Sequence, residues 1–195
     1  MTSPVKVNFK VYQGSTFKEI LRWESSTKVY KPITGISQSA PCIITCPNHG
    51  ILPGWRFRIT NVKGMKEINS SDVYHIATED TSDTIIINAL NTVDYSAYTS
   101  SGIVEYNEPI DISSYTARMQ IREKIDSTDY IYELTTENNS IILDSASGTI
   151  TIIIDSDITT DFTFNSAVYS MELVNNYEVI PFINGTLTLV KEVTR

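Results

Sequence analysis

The segment WRFRIT (residues 55–60) alternates apolar and polar side chains without interruption. Because successive side chains of a β-strand point to opposite faces, this period of two predicts a strand whose buried face carries Trp55 and Phe57. The same pattern directs Arg56 and Arg58 toward solvent. We therefore take Trp55, Arg56, Phe57 and Arg58 as a candidate interaction surface. The alternative interpretation is that the two aromatic residues belong to the core and the two arginines are merely solvated.

Short runs rich in Ile, Val, Thr and Tyr recur along the whole chain, and turn signals such as Asn138-Asn139, Ser147-Gly148 and Asn184-Gly185 separate them. Only one-turn pieces near Ser156–Phe162 and Leu90–Tyr95 suit a helix. Many short strands with frequent turns indicate an all-β sandwich or barrel. The predicted strands are residues 7–12, 19–23, 55–60, 73–78, 84–88, 102–106, 117–122, 130–134, 140–143, 149–154, 167–174 and 186–190.

The composition changes twice along the chain. Residues 33–106 are rich in Gly, Pro, Ser and Thr and hold both cysteines and both histidines, whereas the flanks resemble each other. We predict an all-β, discontinuous β-sandwich formed by residues 1–32 plus 107–195, which serves as an outer docking domain. Residues 33–106 would form a small β-barrel inserted into one of its hairpins, because an exposed hairpin tolerates insertions. A single continuous sandwich is the alternative.

The charge balance excludes several function classes. The chain has 195 residues and a formal net charge of −8, its acidic residues are dispersed, and Lys and Arg form no run. We therefore expect neither nucleic acid nor a membrane surface as a partner, since both call for clustered positive charge. No apolar run approaches the length of a membrane span, and the N-terminal segment lacks the apolar core of a signal peptide. The expected compartment is a cytoplasm.

The segment PCIITCPNHG (residues 41–50) raises the question of a metal or redox site. Cys42, Cys46 and His49, with His75, would supply the ligands of a Cys₂His₂ zinc site. However, the β-branched residues between the cysteines predict an extended strand, which sets the two about 13 Å apart, too far for one tetrahedral ion or a disulfide. We interpret both as buried structural thiols that share one strand face, with a metal or redox site as the alternative.

No catalytic constellation is apparent in the sequence. It contains no G-x-S-x-G, no phosphate-binding P-loop and no G-x-G-x-x-G. We therefore assign no catalytic, cofactor-binding or metal-binding residue and expect a protein that is not an enzyme. A carbohydrate binder is the alternative, in which Tyr95, Tyr98 and Tyr106 would stack on sugar rings.

The middle of the chain carries a recurring set of positions, namely His49-Gly50-Ile51, Gly54 to Ile59, Val62, Gly64-Met65, Asn69, Tyr74, Gly102 and Val104. In these positions it resembles a phage-borne module that is named after the first catalytic-cysteine half-domain of ubiquitin-activating enzymes. This resemblance implies a small β-barrel and no ubiquitin chemistry, and it supports structural roles for Cys42 and Cys46.

Three segments of the flanks stand out, namely VYQGSTFKEILRW (residues 11–23), PIDISSYTARMQIR (residues 109–122) and AVYSMELVNNYEVIPFINGTLTLVKEVTR (residues 167–195). In these segments the flanks resemble a phage virion module with a β-sandwich fold that is found in tail, baseplate and fibre-attachment proteins.

Together the two resemblances imply a non-enzymatic structural protein of the bacteriophage virion, assembled in the host cytoplasm. It would act as a tail, neck or baseplate adaptor that joins the particle to fibres or neighbouring subunits, in several copies arranged as a symmetric ring. Its partners would be other virion proteins. A capsid decoration or head-fibre protein is the alternative.

Overall fold

The computed structural model describes residues 3–70 and 72–192. Within this part of the chain the regular structure is almost entirely β, which confirms the predicted all-β, sandwich-like class. One short helix, α1 (Ser156–Thr160), forms at a predicted one-turn piece. The other piece, Leu90–Tyr95, is a turn and loop without helix. A 3₁₀ turn that was not predicted spans Lys66–Ile68.

The strands follow in chain order. They are β1 (Val5–Lys6), β2 (Phe9–Tyr12), β3 (Phe17–Arg22), β4 (Glu24–Pro32), β5 (Gly35–Ile36), β6 (Cys42–Thr45), β7 (Arg56–Lys63), β8 (His75–Ile76), β9 (Glu79–Asp80), β10 (Thr84–Ile87), β11 (Ser100–Pro109), β12 (Thr116–Arg122), β13 (Tyr132–Thr135), β14 (Ile141–Asp144), β15 (Thr149–Ile154), β16 (Ser166–Val174) and β17 (Val179–Val190).

The chain divides into two compact units. Unit 1 comprises the described residues up to Leu21, Ile112–Asp144 and those from Thr149 onward. Unit 2 comprises Arg22–Asp111 and the short turn Ser145–Gly148. Unit 1 is therefore discontinuous in sequence, and most of unit 2 lies between its parts.

The unit boundaries lie further out than the predicted division into residues 1–32 plus 107–195 and residues 33–106. Strand β4, which was placed in the outer domain, pairs antiparallel with β11 along most of its length, from Pro32 opposite Ile103 to Glu24 opposite Pro109. Because this ladder belongs to a sheet of the inserted unit, both strands belong to unit 2 throughout.

Unit 1 contains a six-stranded and a three-stranded sheet. The larger has the order β1-β17-β16-β12-β13, with β2 also paired to β17, and the smaller has the order β14-β15-β3. Strands β1 and β2 run parallel to β17, with Val5 opposite Ile183 and Phe9 opposite Leu187. Phe9 also meets Phe17 of β3 edge-on, with ring centroids 5.4 Å apart. Strands from the two ends of the described chain are thus neighbours in one sheet.

Unit 2 contains two four-stranded sheets, ordered β5-β6-β10-β9 and β4-β11-β7-β8. Both contribute to one apolar core, which includes Ile44 and Ile85 from the first sheet and Phe57, Ile59 and Val104 from the second. Within residues 3–70 and 72–192 neither sheet closes on itself. The small barrel predicted for the inserted unit is therefore corrected to two open sheets over a shared core.

Candidate interaction surface

The four predicted surface residues separate onto two sides of β7. Phe57 is fully buried in the core of unit 2 and so is not available to a partner. Trp55 packs against the same core, with its ring 5.8 Å from that of Tyr106, and its indole N–H donates to the carbonyl of Ala146. Only Arg56 and Arg58 lie on the outer face, as the alternation of the segment predicted.

The Arg56 side chain is held from two directions. Its Nε donates to Glu24 Oε1 at 2.7 Å and its Nη2 to Glu24 Oε2 at 2.8 Å, a bidentate pair between β7 and the start of β4. The guanidinium also lies 4.3 Å from the centroid of the Tyr74 ring. The hydrogen bonds to Glu24 raise the pKa of Arg56 further above its ordinary value. This arginine is therefore fixed in place rather than loosely solvated.

Arg58 shares the same aromatic ring but not the same ion pair. Its guanidinium lies 4.1 Å from the centroid of Tyr74. The carboxylate directly across the ladder, Glu105, instead pairs with Lys28 of β4 and raises the pKa of that lysine. Among the described residues, Arg58 Nε lies buried without a hydrogen-bond acceptor. The Arg58 guanidinium is thus oriented by stacking on Tyr74, and its unpartnered Nε is enclosed by protein.

These arginines lie among exposed apolar groups on the outer side of the sheet β4-β11-β7-β8. Tyr30 is opposite Glu105, which is opposite Arg58, and Ile76 is opposite Arg56, so all of them share one face. Tyr30 is 56% exposed and Ile76 is 39% exposed. Arginine and tyrosine side chains are enriched where protein surfaces meet. We call this surface the arginine–tyrosine face and define it by Tyr30, Arg56, Arg58, Tyr74 and Ile76.

The two cysteines lie in the core of unit 2. Cys42 opens strand β6 and Cys46 directly follows it, so the segment between them is extended, as predicted. Both thiols are free and fully buried. Burial raises the pKa of both, that of Cys46 to about 11. Such thiols are poor nucleophiles near neutral pH because the thiolate is scarce.

His49 is buried and ties three backbone segments together. Its Nδ1 accepts the N–H of Ile51 at 3.0 Å, so the ring proton is on Nε2. Nε2 in turn donates to the carbonyls of Thr81 at 2.7 Å and Thr84 at 3.2 Å. The carbonyl of His49 itself accepts the hydroxyl of Tyr106 at 2.7 Å. Both ring nitrogens are therefore engaged in the fold, and a metal at this side chain would have to displace a backbone hydrogen bond.

His75 occupies a different environment on β8. Its ring lies 6.0 Å from that of Phe57, and its Nε2 is buried with no hydrogen-bond partner among the described residues. Burial lowers the pKa of this imidazole. Among the described residues, no group of three or more His, Cys, Asp or Glu side chains is arranged to hold a metal ion.

The tyrosines considered for sugar stacking belong largely to the core of unit 2. Tyr106 is 3% exposed. Tyr95 and Tyr98 are partly buried against the same cluster, and the Tyr98 hydroxyl donates to the carbonyl of Ile33 at 3.1 Å. Their rings therefore pack against protein and present little free face to a ligand.

Two residues that organise the arginine–tyrosine face were missed by the sequence analysis, namely Glu24 and Tyr74 in its role as a stacking platform. Glu24 lies 32 positions from Arg56. Alternation within one strand reports which face a side chain occupies, but not which distant strand lies beside it. The local signal for Tyr74 was its position within the predicted strand of residues 73–78, which does not reveal which arginines it contacts.

Comparison with known proteins adds no relative. No protein-family model matches the chain, and no curated protein is significantly similar to it. No helix in the described part of the chain is both long and apolar enough to cross a membrane.

Proposed function

We propose that this chain is a non-enzymatic structural protein of a bacteriophage particle, an adaptor at the tail, neck or baseplate. The proposal begins from the resemblance of residues 33–106 and of the flanking segments to two phage modules. Part of the final similar segment, Val193 to Arg195, lies outside the described residues. The sandwich-like all-β fold supports the resemblance of the flanks, whereas the inserted unit has two open sheets in place of the barrel that its resemblance implies.

The single observation that carries the proposal is the insertion of one β-unit into another within one chain. An adaptor must bind two different neighbours, and two units with separate cores offer two separate surfaces. Unit 2 supplies one such surface, the arginine–tyrosine face. There the positive charge of Arg58, whose cross-strand neighbour Glu105 pairs with Lys28 instead, and the exposed ring of Tyr30 suit a partner that brings carboxylates and apolar groups.

The first experiment is immunogold labelling of purified phage particles, read by electron microscopy, together with mass spectrometry of the particles. Label at the tail, neck or baseplate supports the adaptor. Label over the head favours a decoration or head-fibre protein instead. Particles that carry neither label nor peptides of this chain would overturn the proposal.

A second experiment tests the surface. Arg58→Glu reverses the charge at one position of the arginine–tyrosine face, whereas Lys63→Glu makes the same charge change at an exposed position of the same strand. We expect only Arg58→Glu to reduce incorporation of the chain into particles. Equal incorporation of the two variants, with both folded by circular dichroism, would exclude this face as the docking surface.

A further inference from the structure

A groove lies on the outer side of the six-stranded sheet of unit 1. Its volume is ≈ 590 Å³, within the range of small-ligand sites. The floor is formed by strands β12, β16 and β17, and Lys6 of β1 and Ile125 of the loop after β12 also line it. Ile125 is 83% exposed. A second depression of ≈ 300 Å³ shares Gln120 and Ser170 with it.

The floor presents a row of small polar side chains. Gln120 is opposite Ser170, and Ser170 is opposite Asn184, so an amide, a hydroxyl and an amide stand side by side on three neighbouring strands. Adjacent strands lie about 4.8 Å apart. Amides and hydroxyls both donate and accept hydrogen bonds. Such a row therefore suits a ligand whose successive groups also donate and accept hydrogen bonds. Sugar hydroxyls have this property.

The depth of the groove depends on a residue without a side chain. Gly185 also lines the groove, and a Cβ built there would lie 1.8 Å from the carbonyl oxygen of Val7. Only glycine allows the segment between β1 and β2 to approach β17 this closely. That approach brings Lys6 opposite Asn184, at the end of the polar row.

The charges in the groove oppose those of the chain. The formal net charge of the protein is −8, yet none of the described residues that line this groove is acidic, and two of them, Lys6 and Arg122, are cationic. Arg122 is oriented by its Nη2 donating to Gln120 Oε1 at 2.7 Å and its Nη1 donating to the carbonyl of Thr128 at 2.8 Å. Gln120 in turn donates to Glu133 at 2.5 Å. The cation is thus held in place before any ligand arrives.

We propose that this groove binds a saccharide that carries a carboxylate. The carboxylate pairs with Lys6 and Arg122, the hydroxyls bond to the row Gln120–Ser170–Asn184, and the C–H face of the ring rests on Ile125. A neutral sugar would lack the charge-assisted bonds, and a simple carboxylate would leave the polar row unused. The inference is independent of the proposed virion role, because it concerns a different surface and a different ligand.

The test is titration of the ¹⁵N-labelled full chain with D-glucuronate, D-glucose and acetate, followed by NMR. The side-chain amides of Gln120 and Asn184 report the polar row directly. We expect glucuronate to shift both amide signals with a millimolar dissociation constant, and glucose and acetate to bind more weakly. Shifts from acetate that equal those from glucuronate would reveal a plain anion site and overturn the saccharide. No shift with glucuronate would overturn the site itself.

Matched lysine variants locate the carboxylate. Lys6→Gln and Lys10→Gln both neutralise an exposed lysine on the parallel edge strands beside β17, and only Lys6 lines the groove. We expect Lys6→Gln to weaken glucuronate binding about fivefold, as for one charge-assisted hydrogen bond near the surface, with Lys10→Gln unchanged. Asn184→Ala should weaken glucose and glucuronate alike. Equal losses of glucuronate affinity in the two lysine variants would show a nonspecific effect of net charge. That result would contradict the assignment of the carboxylate to Lys6.

Discussion

The two units achieve stability in different ways although both are packed β-sheets. In unit 1, strands from opposite ends of the described chain pair in one sheet. Backbone hydrogen bonds between strands that are far apart in sequence therefore hold this unit together. In unit 2, buried side chains tie the loops to the sheets, above all His49 and Tyr106. The outer faces differ as well, since Arg56 contacts both the Tyr74 ring and the Glu24 carboxylate, whereas the exposed Arg118 of unit 1 forms an ion pair with Glu172. Buried polar side chains contribute in unit 1 too, where the hydroxyls of Thr159 and Tyr169 donate to the carbonyls of Ser15 and Val7, so the units differ chiefly in the sequence separation of their paired strands.

The largest expected effect comes from cavities in the two cores. Phe57→Ala in unit 2 and Leu187→Ala in unit 1 each remove a fully buried side chain and should lower the free energy of unfolding by about 3–5 kcal/mol. Both tryptophans, Trp23 and Trp55, lie in unit 2, so their emission reports its unfolding, while far-UV circular dichroism reports both units. Urea titrations followed by both signals distinguish the variants, because tryptophan emission follows unit 2 alone whereas circular dichroism follows both units. If Phe57→Ala left the tryptophan transition in place, the burial of Phe57 would be in doubt.

The next effect separates the two histidines of unit 2. His49→Phe leaves the N–H of Ile51 and the carbonyl of Thr81 without partners and should cost about 2 kcal/mol. His75→Phe removes an imidazole whose Nε2 has no partner among the described residues and should be neutral or stabilising. The tryptophan-detected urea midpoint measures both variants. Equal destabilisation would mean that the hydrogen bonds of His49 contribute nothing beyond packing.

A smaller effect distinguishes the outer faces. Arg56→Gln loses the bidentate pair with Glu24 and the contact with Tyr74, and should destabilise unit 2 by about 1 kcal/mol. Arg118→Gln breaks one ion pair in which the Arg118 side chain is 57% exposed, and should change stability by less than about 0.5 kcal/mol. A double-mutant cycle of Arg56→Gln with Tyr74→Leu isolates the stacking contribution. Strict additivity in that cycle would argue against the contact.

The smallest effect is a dependence of stability on pH. Burial lowers the pKa of His75 in the folded chain, so below its ordinary value of 6.5 the unfolded chain binds more protons than the folded one. Stability should therefore fall as the pH drops through that value toward the lower folded pKa. The measurement is the urea midpoint between about pH 7.5 and pH 5, a range that spans the ordinary histidine pKa. In the matched variant His75→Phe, the urea midpoint should depend less steeply on pH. An unchanged pH dependence would contradict the assignment of this effect to His75.

Much of the fold follows from local alternation. The segment around Phe57 was predicted as a strand with the correct inner and outer faces, because burial on one side of a sheet leaves a period of two. Strand β4 was missed, because ESSTKVYKP is mostly polar and its pairing with β11 is a long-range event. Leu90–Tyr95 was predicted as a helical turn, but the Thr92 hydroxyl donates to the carbonyl of Ser37 at 2.7 Å and anchors a loop there instead.

The candidate surface was predicted only in part for the same reason. Alternation places Arg56 and Arg58 outside and Phe57 inside. It carries no information about Glu24, Tyr74 or Lys28, which come from other strands and decide which arginine is paired. The prediction of a barrel for the inserted unit was wrong, because its two sheets remain open. Alternation within a strand does not reveal which edge strands pair with each other.

The pairing of β1 and β2 with β17 implies an order of events during synthesis. Unit 2 is almost continuous in sequence and can begin to fold as it emerges, whereas β17, which pairs with β1, β2 and β16, is translated only after all of unit 2. Folding of unit 2 joins Glu24 to Pro109 and so brings the two halves of unit 1 together. The loop that β17 must then close is much shorter than the chain, and its entropic cost falls accordingly. Folding of the inserted unit thus assists folding of unit 1, whose segments flank it in sequence.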